Sequence, residues 1–413
     1  MQGKIFGPGQ GAAAVPYAVF RDRDVFEREQ ARIFRGAHWS FVALAAELPE
    51  AGDYKTTCVG DTPVVVTRDE AGEFHAFVNR CAHRGAMVCR AKRGNGKLFT
   101  CVYHQWAYDQ TGALKGVPFR RGIRGKGGMP ENFRMDEHGL RQLRIKDYCG
   151  VLFATFAAED EVEPIEDYLG EDVSAMLKRI FGRDAPIEIL GDERQYIHGN
   201  WKLYAENVRD AYHASLLHLF HATFGTYRSN QEGGSTLDKQ HRHSLSFAKK
   251  GTEQDTAAVY DKTRSYQEGS FVLEDPSLLD GQPDFSDGVS LVIMAVFPNL
   301  VVQQIANCLA VRQIIPHGAD EMELVWTYFG YADDSAQARR SRLKQMNLAG
   351  PGGLISMEDG EAVEIVHRAI VRDGADVSYL GMGGQTAGST EHLVSEQPII
   401  GFWEYYQSVM DAP

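Results

Sequence analysis

The chain has no run of about 18 apolar residues, so it offers no obvious bilayer-spanning helix. Its first stretch, Met1 to Phe20, is broken by Gly7, Pro8, Gly9 and Pro16 and lacks the basic start and apolar run of a signal peptide. Cysteine is scarce. Six in 413 residues do not make a disulfide scaffold, so a reducing cytoplasm is the expected compartment. No basic stripe offsets an acidic excess of 56 Asp and Glu over 43 Lys and Arg, which argues against a nucleic-acid partner. The resulting charge of −13 would repel an anionic ligand unless a local arginine or lysine received it. No usable dinucleotide fingerprint is present either. Gly7-Pro-Gly9-Gln-Gly-Ala12 is an approximate match, but Pro8 and Pro16 disfavour the strand–turn–helix context that the motif requires.

What remains is an ordinary globular composition, 43% apolar and 24% charged, with length enough for two cores. Asp24 and Glu27 have capping-box spacing, Val25, Phe26, Ile33 and Phe34 give a helical apolar face, and Gly36 is the expected stop. From Phe41 to Phe156 short β-like runs follow one another, read as a small inserted domain. An acidic loop, Ala157 to Pro164, leads to helical patterns over Ile165–Arg179 and Trp201–Phe224. The polar segment Gln231 to Ser270 reads as long loops or a lid. Val289 to Ile315 is the strongest strand region, with a turn at Phe297-Pro-Asn-Leu300. Helices are expected from the caps at Asp333, Asp334 and Ser335 to Asn347, over Gly360–Val371, and over Ile399–Met410. The domain reading is 1–40 and 157–413 for a larger catalytic domain and 41–156 for the β-rich insertion.

Two constellations carry chemistry. Cys81-Ala-His83 and Cys101-Val-Tyr-His104 each bring one thiolate and one imidazole. Zinc fingers usually pair Cys with Cys and His with His. One Cys and one His per loop suits a [2Fe–2S] cluster with two thiolates on one iron and two imidazoles on the other. Cys58, Cys89, Cys149 and Cys308 show no such pairing and read as small buried hydrophobes.

The second constellation is Glu206 to His221, with Glu206, Asp210, His213, His218 and His221 in a segment apolar enough to be core. Burying so many ionisable groups is costly unless they bind a cation or each other. A 2-His-1-carboxylate iron site would need two of these imidazoles and a distant acid. His213 and His218 lie about 140° apart on a regular helix, whereas His218 and His221 share a face, so spacing does not choose the pair. Asp359 is a candidate for the acid, with Glu358 as its neighbouring competitor.

The two Cys/His pairs, then Asn200-Trp-Lys202 and Glu206-Asn-x-x-Asp-x-Tyr-His-x4-His218, resemble the Rieske non-haem iron oxygenases, large (α) subunit, over nearly the whole chain. The resemblance implies an α+β chain in which a β-rich Rieske domain is inserted into a catalytic domain with an antiparallel sheet covered by helices. It implies one [2Fe–2S] cluster and one mononuclear Fe(II) per chain. Cys81, His83, Cys101 and His104 would hold the cluster, and His213, His218 and Asp359 the iron. Asn207 falls beside the iron, and His221 and Glu206 fall back to supporting positions. Asp210 is implied to bridge His213 to a cluster histidine, His104, of the neighbouring subunit in a head-to-tail trimer. Because His213 and His218 would then share a site, the helix should break between them.

Electrons would reach such an enzyme from NAD(P)H through a separate ferredoxin and/or reductase. The chain would assemble as α3, or α3β3 with a small β subunit. Rival readings are a Rieske electron carrier without mononuclear iron, or a structural zinc protein. Several local stretches, including Val64-Val-Val-Thr-Arg68 and Gly116-Val-Pro-Phe-Arg-Arg121, are similar to the branch acting on anthranilate, salicylate and terephthalate. That resemblance makes Arg312 the partner of a substrate carboxylate. Leu393 stands near the place where terephthalate enzymes carry a second arginine, which favours an ortho-substituted monocarboxylate over a dicarboxylate. Mono- and dihydroxylation would use the same metal ligands.

Overall fold

The computed structural model describes residues 6, 11–264, 266, 271–372 and 376–412. Most of the approximate fingerprint at Gly7–Ala12 lies outside them. The chain forms two compact units, Met1–Ile33 with Glu166–Pro413, and Phe34–Ile165 between those segments in sequence. No helix of the described residues is long and apolar enough to cross a membrane.

Helix α1 (Arg23–Glu29) opens the larger unit. Its cap is Asp22, whose side chain accepts from the backbone N–H of Asp24 at 2.8 Å and of Val25 at 3.4 Å. The helix therefore starts two residues before the Asp24 position suggested by a capping box, and it runs on as a π turn to Phe34.

The smaller unit is built of β1 (Ser40–Leu44), β2 (Asp53–Val59), β3 (Thr62–Arg68), β4 (Phe74–Val78), β5 (Arg93–Asn95), β6 (Leu98–Thr100), β7 (Ala107–Asp109), β8 (Leu114–Gly116), β9 (Gln142–Tyr148) and β10 (Val151–Thr155). A seven-stranded sheet runs β1-β10-β9-β4-β3-β2-β5, and a three-stranded sheet runs β6-β7-β8. Their core contains Val65, Phe77, Phe99, Trp106 and Tyr108, and it includes Cys81 and Cys101. Both thiols are thus embedded, while the loops that carry them reach the surface.

The larger unit continues with α2 (Ile165–Phe181), β11 (Ile187–Ile197), α3 (Trp201–Asn207), α4 (Ala214–Leu217) and α5 (Leu219–Phe224). Next come β12 (Glu232–Leu237), β13 (Ser244–Lys249), α6 (Thr256–Tyr260), β14 (Leu291–Val296), β15 (Leu300–Ile305), β16 (Cys308–Pro316) and β17 (Met322–Tyr331). Helices α7 (Ala336–Ala349), α8 (Ser356–Ile370) and α9 (Gln397–Met410) complete it. The sheet is antiparallel in the order β11-β17-β16-β15-β14-β13-β12. Strands β15 to β17 are buried along their whole length, with α3 and α7 packed on β16.

Two expectations need correction. The polar stretch from Gln231 does not stay loop-like: β12 and β13 occupy much of it, and α6 follows. Gly233 and Gly234 lie within β12 and admit close neighbours: a Cβ on Gly234 would meet the Thr390 carbonyl oxygen at 2.2 Å. Residues 265 and 267–270 of that stretch lie outside the described residues. The single helical run over Trp201–Phe224 is three short helices.

A fully buried ion pair fastens these helices. Glu29 of α1 meets the Lys202 Nζ of α3 at 2.6 Å, and both side chains have zero exposure. The same carboxylate accepts from Trp201 Nε1 at 2.8 Å and from the Tyr406 hydroxyl of α9.

Candidate functional site

In the smaller unit, the loop after β4 carries Cys81 and His83, and the loop between β6 and β7 carries Cys101 and His104. The two loops close identically. The N–H of Gly85 donates to the Cys81 carbonyl at 3.0 Å and that of Gln105 to the Cys101 carbonyl at 2.9 Å. In return, the cysteine N–H groups donate to the carbonyls of Ala86 and Trp106. Gly85 and Gln105 both take positive φ, 77° and 56°, to make these turns. The thiols are 3% and 1% exposed, and the imidazoles lie towards the surface with ring centroids 4.5 Å apart. Trp106 stacks on His83 at 4.8 Å, and the Tyr108 hydroxyl lies 3.2 Å from Cys81 Sγ. Neither cysteine is in a disulfide.

The two loops bring their imidazoles together, and both thiols belong to one buried cluster. Among the described residues, the group of metal-binding side chains whose donor atoms all lie within 4.8 Å of one another is His213, His218 and Asp359. Buried thiols paired with outward imidazoles fit a two-iron cluster.

In the larger unit, α3 ends at Asn207 and the chain turns. Asp210 Oδ1 then accepts from the N–H of Tyr212 at 2.9 Å and of His213 at 3.2 Å, closing the turn that precedes α4. His218, at φ −88° and ψ 95°, separates α4 from α5. The two imidazoles flank α4 and come together with ring centroids 5.6 Å apart.

His213 Nε2 and His218 Nε2 each lie 3.2 Å from the same oxygen, Asp359 Oδ1. Metal–nitrogen bonds of about 2.1 Å at right angles put neighbouring donors about 3 Å apart, so the trio matches one side of an octahedral ion. Asp359 stands in the first turn of α8 and is 5% exposed. Asn207 Nδ2 donates to Asp359 Oδ1 at 3.1 Å and lies 3.3 Å from His213 Nε2.

Behind the rings, His213 Nδ1 is 3.2 Å from Asp210 Oδ2 and His218 Nδ1 is 2.7 Å from Glu358 Oε2. Burial alone would lower the pKa of His213, but Asp210 and Asp359 carry it up to about 10. Burial would raise that of Asp359, yet hydrogen bonds from His213 and His218 hold it well below the usual range. A negative potential that strong favours a cation. His221 behaves differently. Burial and then the nearby His218 push it down to about 3, and its Nδ1 is bonded to Thr226 Oγ1 at 2.7 Å.

The trio opens into a cavity with apolar walls from Val208, Ala211, Leu291, Ile293, Ile305 and Leu393. Arg312 of β16 also lines it. It is 3% exposed, donates to the Tyr204 hydroxyl at 2.8 Å and lies 4.2 Å over the Trp326 ring. Among the described residues no carboxylate pairs with it. A second, wider groove reaches Asp210 and His213 from outside and is lined by Leu216, Leu217, Val366 and Leu380.

The geometry thus brings Asn207, Asp210, His213, His218 and Asp359 together, sets Arg312 in the same cavity, and leaves His221 outside the trio. Sequence reasoning missed Glu358 as a partner of His218 Nδ1, having weighed it only as a rival ligand. It also missed Tyr204 as the partner of Arg312. Position in the motif carried no signal for either.

Comparison with known proteins agrees with both centres. Residues 38–126 match the Rieske [2Fe-2S] domain, and residues 183–412 match the ring hydroxylating alpha subunit (catalytic domain). The chain is 51% identical over 406 residues to the anthranilate 1,2-dioxygenase large subunit of Burkholderia cepacia, covering 98% of this chain and 95% of that one. It is 45% identical to the terephthalate 1,2-dioxygenase terminal oxygenase component subunit alpha 2 of Comamonas sp (96% and 95% covered). It is 39% identical to the salicylate 5-hydroxylase large oxygenase component of Ralstonia sp (98% and 96%). Among solved structures, naphthalene 1,2-dioxygenase from Rhodococcus sp. bound to indole superposes with a TM-score of 0.79 at 26% identity, over 97% of this chain and 95% of that one.

Proposed function

The chain belongs to the ring-hydroxylating oxygenase large (α) subunits, and from that premise we propose that it hydroxylates an ortho-substituted benzoate such as anthranilate or salicylate. It is a Rieske-type oxidoreductase whose cofactors are one [2Fe–2S] cluster and one mononuclear iron. In this reading Cys81, His83, Cys101 and His104 hold the cluster, and His213, His218 and Asp359 hold the iron. When bound, the iron supplies oxygen activation and the cluster supplies electrons.

The observation that carries the substrate reading is Arg312. A guanidinium 3% exposed, with no protein carboxylate beside it among the described residues, is costly unless an anion completes it. Arg312 would take the substrate carboxylate, Tyr204 would hold the guanidinium in place, and the apolar walls would hold the ring edge-on to the iron trio. Leu393, apolar in the cavity wall, gives a second carboxylate no partner, which supports a monocarboxylate over a terephthalate-type substrate.

Electrons in this reading come from NAD(P)H through a ferredoxin and/or reductase. The open groove at Asp210 supports entry of a cluster histidine from a neighbouring copy, in an α3 or α3β3 assembly. The free cysteines suit a cytoplasmic chain.

The test is a turnover screen of substituted benzoates with a surrogate reductase, with the products identified, run on the native chain and on Arg312→Gln. A charge-assisted pair worth about 1.5–3 kcal/mol predicts a fall in kcat/KM of about 10- to 100-fold for carboxylates, with neutral aromatics unaffected. Unchanged kinetics would remove Arg312 from the site, and turnover confined to dicarboxylates would overturn the substrate reading.

A further inference from the structure

Two consecutive carboxylates in the first turn of α8 address the two nitrogens of a single imidazole. Asp359 Oδ1 lies 3.2 Å from His218 Nε2, and Glu358 Oε2 lies 2.7 Å from His218 Nδ1. The ring is 3% exposed and the Glu358 side chain 25%. Besides these carboxylates the ring meets His213 and His221 edge-on, with centroids 5.6 and 5.4 Å away. His218 sits between two short helices with extended ψ, and its backbone N–H reaches the Ala214 carbonyl only at 3.4 Å. An imidazole that binds a metal through Nε2 must carry its proton on Nδ1, and a carboxylate at Nδ1 secures that tautomer and the ring's angle.

We propose that Glu358 is the positioning residue of the iron centre, holding His218 in the tautomer and orientation that bind the metal. The equivalent contact on the other ring is weaker. Asp210 stands 3.2 Å from His213 Nδ1 and divides its charge with two backbone N–H groups, whereas Glu358 directs its oxygen at His218 alone among the described residues. Iron affinity therefore depends on Glu358 more than on Asp210. Because α8 supplies both carboxylates, any shift of its first turn moves the ligand oxygen and the ring together.

The proposal rests on the reading of His218 as an iron ligand, so the experiment separates the two. Iron-depleted native protein, Glu358→Gln, Glu358→Ala, Glu358→Asp and His218→Ala are titrated with Fe(II) against a competing chelator. Cluster content is followed by visible absorbance, and thermal unfolding of the iron-free proteins is recorded. The expected result is an Fe(II) affinity about 10- to 100-fold weaker in Glu358→Gln and Glu358→Ala, the range found for such outer partners, with partial recovery in Glu358→Asp. Cluster content and iron-free unfolding should match the native protein, because the glutamate is partly exposed. Native-like Fe(II) affinity in both Gln and Ala variants, beside loss of iron in His218→Ala, would overturn the role of Glu358 alone. Retention of iron by His218→Ala would instead overturn the ligand assignment beneath it.

Discussion

Replacing Lys202 by Met should destabilise the larger unit by about 3–5 kcal/mol. The ammonium and the Glu29 carboxylate are 2.6 Å apart with no exposure on either side, so water cannot take the place of either partner. Methionine fills the space of the lysine stem, so little of the loss comes from a cavity. What changes is electrostatic. The carboxylate keeps two neutral donors, Trp201 Nε1 and the Tyr406 hydroxyl, but loses the cation that offsets its desolvation. Hydrogen bonds to a charged acceptor contribute about 1.5–3 kcal/mol each, against a desolvation cost of several kcal/mol. The double variant Glu29→Gln/Lys202→Met removes both charges while leaving an amide oxygen to accept from the indole and an amide N–H to donate to the phenol oxygen. It should recover to within about 1 kcal/mol of the native protein. Urea unfolding of the iron-free proteins, followed by tryptophan fluorescence, measures both, and Trp201 is itself a reporter. A loss below about 1 kcal/mol in the single variant, or a double variant as weak as the sum of its singles, would refute the reasoning.

Three further outcomes are expected. Asp210→Asn should keep cluster and iron but cut steady-state turnover by about 100-fold, because the carboxylate behind His213 is neutralised; metal analysis beside kinetics checks this. Tyr204→Phe should lower kcat/KM for benzoates by about 10-fold, since Arg312 loses the partner that aims it; the same assay on a neutral aromatic should show little change. For Glu206, burial, with Asp210 and Glu396 adding to it, pushes the carboxyl up to about 8 from 4.5 against the opposing Trp403 indole. A raised folded-state pKa gives stability that is fully present below pH 4.5 and lost as pH rises through 8. Halved for the water that reaches this half-buried group, the loss is about 2 kcal/mol. Glu206→Gln, which still accepts from Trp403, should flatten the thermal unfolding profile between about pH 4.5 and 8.

The cluster loops were legible because thiol and imidazole chemistry is written in short spacings, and the loops that carry them are local. The iron site was legible only in part. His213 and His218 do not share a face of a long regular helix, and periodicity does not report the irregular backbone around them, the Asp210 turn before α4 and the non-helical His218 after it. Asp359 and Glu358 are adjacent in sequence, so only the rotation of α8 decides which faces the metal side of His218 and which its back. Strands β12 and β13 were illegible for a similar reason. The glycines of β12 reflect close backbone approach and not a free loop, and the serines and lysine of β13 mask its strand alternation. Arg312 was legible through the resemblance to the benzoate-acting branch, and the structure adds that its strand is buried along its whole length.

The tie between Glu29 and Tyr406 joins residues 377 positions apart, while the β-rich unit is one continuous segment. During synthesis, every strand from β1 to β10 leaves the ribosome before α3 has been made, so that unit folds first. Helix α1 meanwhile waits, its glutamate without Lys202 and Trp201 until α3 emerges and without Tyr406 until α9 does. Iron capture at His213, His218 and Asp359 is therefore the later event. A nascent chain arrested ahead of Tyr406 should already show the colour of the cluster while its iron site is still unassembled.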